Sequence, residues 1–133
     1  MEVKLLNDNL WYPTDKIFIN GQWKDCHSKN RLPIENPSNG EVIAEISDSC
    51  DIDIDEAVNS ASKALDNSWG DLTASERGRL LLKLSELVRN RIDNLAIIES
   101  IDVGKPLKQA KSDALALARY FEFYGGASDK IMG

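Results

Sequence analysis

The sequence has few of the side chains that most often carry catalysis or bind metal ions. Its 133 residues include one histidine, His27, and two cysteines, Cys26 and Cys50. A metal site built on histidines needs several of them, and a catalytic triad needs one placed beside a nucleophile and an acid. We therefore predict neither kind of site and interpret His27 as a surface residue in a hairpin loop.

The two cysteines form no CxxC pair, and neither has a setting that favours a reactive thiolate. Neighbouring residues of a strand point to opposite faces, so His27 is not expected to activate Cys26. Cys50 lies among aspartates, which disfavour a thiolate. The first residues, Met1 to Lys4, also lack the basic start and apolar stretch of a secretion signal. We therefore expect two free thiols in a reducing cytoplasm and no catalytic cysteine.

Basic residues and long apolar runs are also scarce. Sixteen Lys and Arg stand against 22 Asp and Glu, which gives a net charge of −6, and the pI is about 4.8. Such a chain repels a phosphate backbone, so we predict no nucleic-acid partner. No apolar run reaches the roughly 18 residues that cross a bilayer, so we predict no membrane segment. Two phosphate-binding motifs are absent as well: there is no GxGxxG, and Gly104-Lys105 is followed by Pro106 instead of Ser or Thr.

The N-terminal part of the chain is predicted to be an arm followed by two strand pairs. Residues 1–15 are polar and irregular, and we interpret them as an arm that lies on another surface. Asn20-Gly21 is typical of a type I′ turn and predicts a hairpin. Residues 32–35 and 41–46 form a second extended pair, in which Pro33 favours an edge position because it has no N–H. The apolar face of this pair consists of Val42, Ala44 and Ile46.

The remainder is predicted to be helical, because apolar residues recur three and four positions apart. Thr73 and Glu76 predict a capping box at the start of the second helix. Gly104 is expected to end the third helix, whereas the fourth is expected to begin at Pro106 and to end at Gly125-Gly126. Each predicted helix has one apolar stripe along its length. In chain order the four stripes consist of Ile54, Val58, Ala61 and Leu65; Leu80, Leu84 and Leu87; Leu95, Ile98 and Ile101; and Ala110, Ala114, Leu117, Phe121 and Tyr124.

Acidic residues crowd the start of the first helix, at positions 51, 53 and 55. The positive end of the helix dipole attracts negative charge, which accounts for each of these aspartates without a bound cation. Asp102 differs, because it lies at the end of a helix, where the dipole disfavours it. We expect a backbone donor, Lys105 or a cation to hold its carboxylate.

Strands that precede three or four helices define an α+β segment. Two short strand pairs offer too little surface to cover all of the helical stripes. We therefore expect these stripes to stay partly exposed in the chain alone, and we infer that a further partner surface covers them.

Six short segments occur in a defined order. They are residues 18–23 (FINGQW), 36–44 (NPSNGEVIA), 54–58 (IDEAV), 75–81 (SERGRLL), 102–106 (DVGKP) and 124–130 (YGGASDK). In this order they resemble the N-terminal portion of the NAD(P)-dependent aldehyde dehydrogenase superfamily. The resemblance runs from about Lys16 to Gly133. It implies the α/β fold of that family, with residues 16–133 forming the N-terminal part of its NAD(P)-binding domain.

The resemblance also implies a reaction. In that family a cysteine thiolate attacks an aldehyde, a hydride passes to NAD or NADP, and a glutamate activates the water that releases a carboxylic acid. It places these catalytic residues, and those that grip the cofactor, further along the chain than this sequence reaches. The expectation is an N-terminal fragment that is inactive alone, with no catalytic or cofactor-binding residue of its own.

The partners implied by the resemblance are the missing C-terminal part of the enzyme and other subunits of a homo-oligomer. A stand-alone, non-catalytic interaction module derived from the same family is the alternative. The aldehyde, and the choice between NAD and NADP, depend on residues that this sequence does not contain.

Two candidate sites follow from the resemblance. Asp102 matches an aspartate that holds a structural monovalent cation in some members, together with backbone carbonyls at the positions of Ile34 and Glu35. The helix after Pro106 resembles the helix that lines the substrate entrance of these enzymes. The residues expected to face that entrance are Asp113, Ala116, Leu117 and Tyr120.

Overall fold

A computed structural model describes residues 15–130 of the chain. The predicted arm at 1–15 lies outside the described residues, apart from its last position. The chain divides into two compact units, Met1–Asn67 and Ser68–Gly133. Within residues 15–130, the first unit holds four strands and one helix, and the second holds three helices. Four helices and two antiparallel strand pairs confirm the predicted α+β segment.

The first strand pair joins β1 (Ile17–Ile19) to β2 (Gln22–Lys24) in an antiparallel hairpin. Asn20 and Gly21, which connect them, have φ values of 53° and 74°. A type I′ turn requires φ > 0 at both positions, so the prediction from Asn-Gly is confirmed.

The second pair joins β3 (Arg31–Glu35) to β4 (Val42–Ser47), also antiparallel, with an irregularity in the register at Ile34/Glu35. Among the described residues this sheet has two strands, so Pro33 lies at a sheet edge as predicted. Ala44 is buried and Ile46 is half-buried, but Val42 on the same face is exposed. The alternating face is therefore only partly covered.

Helix α1 (Asp51–Asp66) completes the first unit. Ile54, Val58 and Leu65 of its predicted stripe are all more than half exposed. The one buried residue of α1 is Asp53, whose side chain is 1% exposed. This helix is thus held by a polar contact at its first turn, while its apolar stripe stays bare.

The second unit consists of α2 (Ala74–Arg89), α3 (Ile92–Val103) and α4 (Leu107–Ala127). The capping box is confirmed: the Thr73 hydroxyl accepts from the Glu76 N–H at 3.2 Å, and the Glu76 carboxylate accepts from the Thr73 N–H at 2.8 Å. Gly104 ends α3 with a left-handed φ of 70°, as predicted. The fourth helix begins at Leu107 and not at Pro106 as predicted, because the backbone of Pro106 (φ −55°, ψ 133°) is not helical and this residue caps α4 instead.

Helix α4 packs on both α2 and α3 through small residues. Its buried positions are Ala110, Ala114, Ala118 and Gly125. Opposite them on α2 lie Gly78, Ser85 and Val88, and the Ser85 hydroxyl donates to the Ala118 carbonyl at 2.7 Å. The small side chains allow the helix backbones to approach closely, which is why this seam, and not the leucine stripe, is buried.

The predicted end of the fourth helix at Gly125-Gly126 is wrong, because α4 continues to Ala127. The reason is tertiary: a Cβ placed on Gly125 would lie 3.0 Å from the Gly78 carbonyl oxygen. Gly125 therefore serves the crossing of α2 and α4 and does not terminate the helix.

The leucine stripe of α2 remains exposed, as expected for the chain alone. Leu80, Leu84 and Leu87 are 47%, 38% and 54% exposed. We call these three residues the leucine row. Among residues 15–130, no helix is both long enough and apolar enough to span a bilayer.

Candidate functional site

The densest polar cluster of the first unit centres on the carboxylate of Asp53. Its Oδ2 atom lies 2.9 Å from Cys26 Sγ, 3.3 Å from Cys50 Sγ and 3.0 Å from the Cys50 backbone nitrogen. Its Oδ1 atom accepts from the His27 backbone N–H at 3.1 Å and lies 2.7 Å from His27 Nδ1. We call these four residues the Asp53 cluster.

Local structure places the Asp53 cluster. Cys50 is the residue that caps α1, and Asp53 is the third residue of that helix, so its side chain reaches back to the free Cys50 N–H. Cys26 and His27 follow β2 in a loop that carries them to the same carboxylate. Each oxygen thereby gains donors that water would otherwise supply, which is the condition for burying a charge.

The donors around Asp53 determine its protonation. The hydrogen bonds from the Cys26 thiol, the His27 ring and the Cys50 backbone N–H hold the pKa of this carboxyl far below its ordinary value, against the opposing effect of burial. The group is therefore a fixed anion at neutral pH. A carboxylate held in this way orders a loop and a helix start, but it is a poor general base because it binds a proton weakly.

Two expectations about this region are wrong. Cys26 and His27 were expected to point to opposite faces, yet both side chains contact Asp53, because they lie in a loop where strand alternation does not apply. The acidic run at the helix start was expected to need only dipole compensation, but Asp53 is buried and specifically paired. His27 does lie in a loop between strands, with its side chain 48% exposed.

The second unit has a smaller charged cluster around Lys105. Its Nζ atom lies 2.7 Å from Glu99 Oε1 and 2.8 Å from Asp113 Oδ2. Gln109 donates to the other oxygen of Asp113 at 2.9 Å. Asp113, and then Glu99, raise the pKa of Lys105, while Lys105 and then Gln109 lower the pKa of Asp113. Both ions stay charged at neutral pH and tie the α3–α4 connection to the first turns of α4.

A groove of about 320 Å³ lies beside this cluster, between α3 and α4. It is mainly apolar and open to solvent, with Asp113 and Glu99 at its polar side. Of the four residues predicted for a substrate entrance, Asp113 and Leu117 line the groove. Ala116 is half-buried and Tyr120 is 63% exposed, and neither belongs to its lining. The assignment of these four residues to a substrate entrance stays a prediction.

The predicted cation site also stays a prediction. Ile34 and Glu35 lie in β3 of the first unit, and Asp102 lies near the end of α3 in the second. Within residues 15–130, no group of three or more His, Cys, Asp or Glu side chains is arranged to hold a metal ion. A site of two backbone carbonyls and one carboxylate is a different donor set, which that finding does not address.

Comparison with known proteins identifies the family. The model of the aldehyde dehydrogenase family matches residues 23–133. The chain therefore belongs to the aldehyde dehydrogenase family, and the resemblance inferred from the six segments is confirmed. The strand pairs and helices described above match those of an aldehyde dehydrogenase of known structure.

Individual relatives agree with this assignment. Retinal dehydrogenase 2 of Homo sapiens is 41% identical over 128 residues, which cover 94% of this chain and 25% of that protein. Betaine aldehyde dehydrogenase of Bacillus subtilis is 37% identical over 118 residues, which cover 88% of this chain and 24% of that protein. The chain thus spans about a quarter of the length of these relatives.

Solved structures of aldehyde dehydrogenases likewise match this chain over about a quarter of their own length. A mutant aldehyde dehydrogenase from Bacillus cereus is 32% identical and superposes with a TM-score of 0.86, over 91% of this chain and 25% of that one. A variant of betaine aldehyde dehydrogenase from Staphylococcus aureus, solved in complex with NAD+, is 28% identical with a TM-score of 0.85, over 90% of this chain and 24% of that one.

The elements of residues 15–130 do not include the cradle that binds a dinucleotide in doubly wound α/β folds. Both strand pairs within residues 15–130 are antiparallel, whereas the dinucleotide cradle is a parallel strand, a glycine turn and a helix N-terminus. The glycines with positive φ, namely Gly21, Gly40 and Gly104, lie in two hairpin connections and at the end of a helix. A helix C-terminus carries the negative end of the dipole and repels phosphate. These three glycine positions therefore do not form a pyrophosphate-binding turn.

Proposed function

We propose that this chain is the N-terminal part of an NAD(P)-dependent aldehyde dehydrogenase, which oxidises an aldehyde to a carboxylic acid. Its part in that enzyme is structural: residues 16–133 supply strands and helices that cover the remainder of the NAD(P)-binding domain. The chain alone is inactive, because the thiolate and the water-activating carboxylate belong to the rest of the enzyme.

The observation that carries this proposal is the exposed apolar surface on well-formed helices. The leucine row of α2 is exposed although its helix is capped and packed on α4 through other residues. In the first unit the stripe of α1 is exposed in the same manner. Regular apolar faces of this kind are typical of surfaces that another part of a protein covers.

The remaining features of the proposal follow from the family. NAD or NADP is the cofactor of the complete enzyme and accepts the hydride there, and this segment binds neither. The complete enzyme is a cytoplasmic homo-oligomer. The aldehyde is selected outside residues 1–133, apart from any contribution of Asp113, Ala116, Leu117 and Tyr120 at the entrance.

A chimera tests the proposal. Residues 23–133, which the family model matches, replace the corresponding segment of betaine aldehyde dehydrogenase of Bacillus subtilis, a relative that is 37% identical over 118 residues. We expect the chimera to fold and to produce NADH with the aldehyde of the parent enzyme, whereas the parent without that segment should produce none. The 133-residue chain with NAD and a short aldehyde should also produce none.

Two results would contradict the proposal. Turnover by the 133-residue chain alone would show that it carries its own catalytic groups. A chimera that is soluble and folded but produces no NADH with the aldehyde of the parent enzyme would favour the alternative, a stand-alone interaction module. Co-purification of the chain with an intact aldehyde dehydrogenase subunit would support that alternative directly.

A further inference from the structure

Cys26 and Cys50 share a single hydrogen-bond acceptor in the Asp53 cluster. Both sulfur atoms lie within 3.3 Å of Asp53 Oδ2, so they are no farther apart than twice that distance. The two residues are 24 positions apart in the sequence, and they are the only cysteines of the chain. Their proximity is therefore a product of the fold.

Cys26 also contacts the backbone just before Cys50. The pairing of β3 and β4 continues beyond the strands, because the Asp48 N–H donates to the Asn30 carbonyl at 3.2 Å. Cys26 Sγ lies 3.4 Å from the Asp48 carbonyl oxygen, two residues before Cys50. A disulfide places its two sulfur atoms about 2 Å apart, so its formation requires the side chains of Cys26 and Cys50 to turn from Asp53 Oδ2 toward each other.

Oxidation would not leave a buried charge without partners. If both thiols lose their protons to a disulfide, Asp53 still accepts from the backbone N–H groups of Cys50 and His27. The His27 ring remains at 2.7 Å as a further partner. Both cysteines are free and only half-buried, so a small reagent can reach them.

We propose that Cys26 and Cys50 form a redox-sensitive dithiol site that reacts with low-molecular-weight disulfides. One thiolate attacks the small disulfide, forming a mixed disulfide and releasing one small thiol. The second thiolate attacks the protein sulfur of that mixed disulfide and releases the other small thiol. The net change is the loss of two protein S–H bonds, the gain of one S–S bond and the reduction of one small disulfide to two thiols. The product ties the loop after β2 to the start of α1.

The test uses the full 133-residue chain and oxidised glutathione as the probe. Intact mass and free-thiol content are followed in time, under native conditions and in concentrated urea. Cys26→Ser and Cys50→Ser serve as matched controls, because serine keeps a hydrogen-bond donor beside Asp53 while removing one sulfur. All species are acid-quenched, so that exchange stops before analysis.

We expect the native chain to lose both thiols together, with a final mass lower by two hydrogen atoms. The native fold should convert a mixed disulfide to this product at least about tenfold faster than the unfolded chain does, because it raises the effective concentration of the second thiol. Each serine variant should stop at a single glutathione adduct. Stable adducts on both cysteines of the native chain, or equal rates in urea, would overturn the proposal. Neither result bears on the proposed enzyme.

Discussion

The crossing of α2 and α4 provides the sharpest quantitative prediction, through the substitution Gly78→Ala. A Cβ at this position would lie 2.6 Å from the backbone carbonyl oxygen of Gly125 and 3.2 Å from Ser128 Cβ. The closest neighbour is backbone, so no side-chain rotation can relieve the clash. The two helices would have to move apart, along a seam where Ala118 and Ser85 are also buried.

Two effects of opposite sign determine the magnitude. Overpacking of a tight contact costs about 1–3 kcal/mol. Replacing a helical glycine by alanine gains about 1 kcal/mol of helix propensity. Because the nearest obstacle is a backbone oxygen at 2.6 Å, we place the cost in the upper part of its range, and we expect Gly78→Ala to destabilise the second unit by about 1–2 kcal/mol.

Gly126→Ala is the matched control, since a Cβ there has no neighbour within 4 Å. This residue also lies in α4, so only the propensity gain applies, and stability should rise by up to about 0.5–1 kcal/mol. The assay is urea unfolding of the 133-residue chain, followed by far-UV circular dichroism, with the slope m compared among the variants. A Gly78→Ala protein as stable as the Gly126→Ala protein would refute the close-crossing argument.

Three further predictions concern caps and charges. The pKa of Asp53 is depressed in the folded chain. The ionised carboxylate therefore stabilises the fold fully above the pKa of the unfolded chain, near pH 4, and this stabilisation is lost as the pH falls below that value. Asp53→Asn should remove this acid dependence, which urea unfolding at a series of pH values would measure. Thr73→Ala removes the cap of α2 and should cost about 1 kcal/mol in the same assay, and an unchanged midpoint would contradict the capping geometry. Lys105→Met removes the main cause of the low pKa of Asp113, so the carboxyl should titrate at higher pH when followed by NMR, whereas Lys108→Met, in the first turn of α4, should leave that titration unchanged.

Several elements were predictable because they depend on neighbours in the sequence. Asn20-Gly21 determines its turn by allowing positive φ at both positions, and Gly104 ends α3 for a similar reason. The capping box of Thr73 and Glu76 is a contact between residues three apart. Turns and caps of this kind depend on residues a few positions apart, so the local residue pattern is sufficient to predict them.

The candidate site was not predictable in the same way. The Asp53 cluster unites a loop after β2 with the first turn of α1, and the residues involved are separated by more than 20 positions. The sequence offered one signal, an aspartate three residues after a capping position, and that signal has a sufficient local explanation in the helix dipole. Only the path of the loop distinguishes Asp53 from the exposed aspartates at positions 51 and 55.

The sequence by itself determined the order of strands and helices, most of their ends, the excess of negative charge and, through six ordered segments, the family. The tertiary structure alone decided which faces are buried. The small residues of α2 and α4 are buried and the leucine row is exposed, because two helix backbones pack most closely where no large side chain separates them. The tertiary structure also gathered two thiols and an imidazole around one carboxylate, because a buried charge is stable only where the fold brings donors from distant parts of the chain.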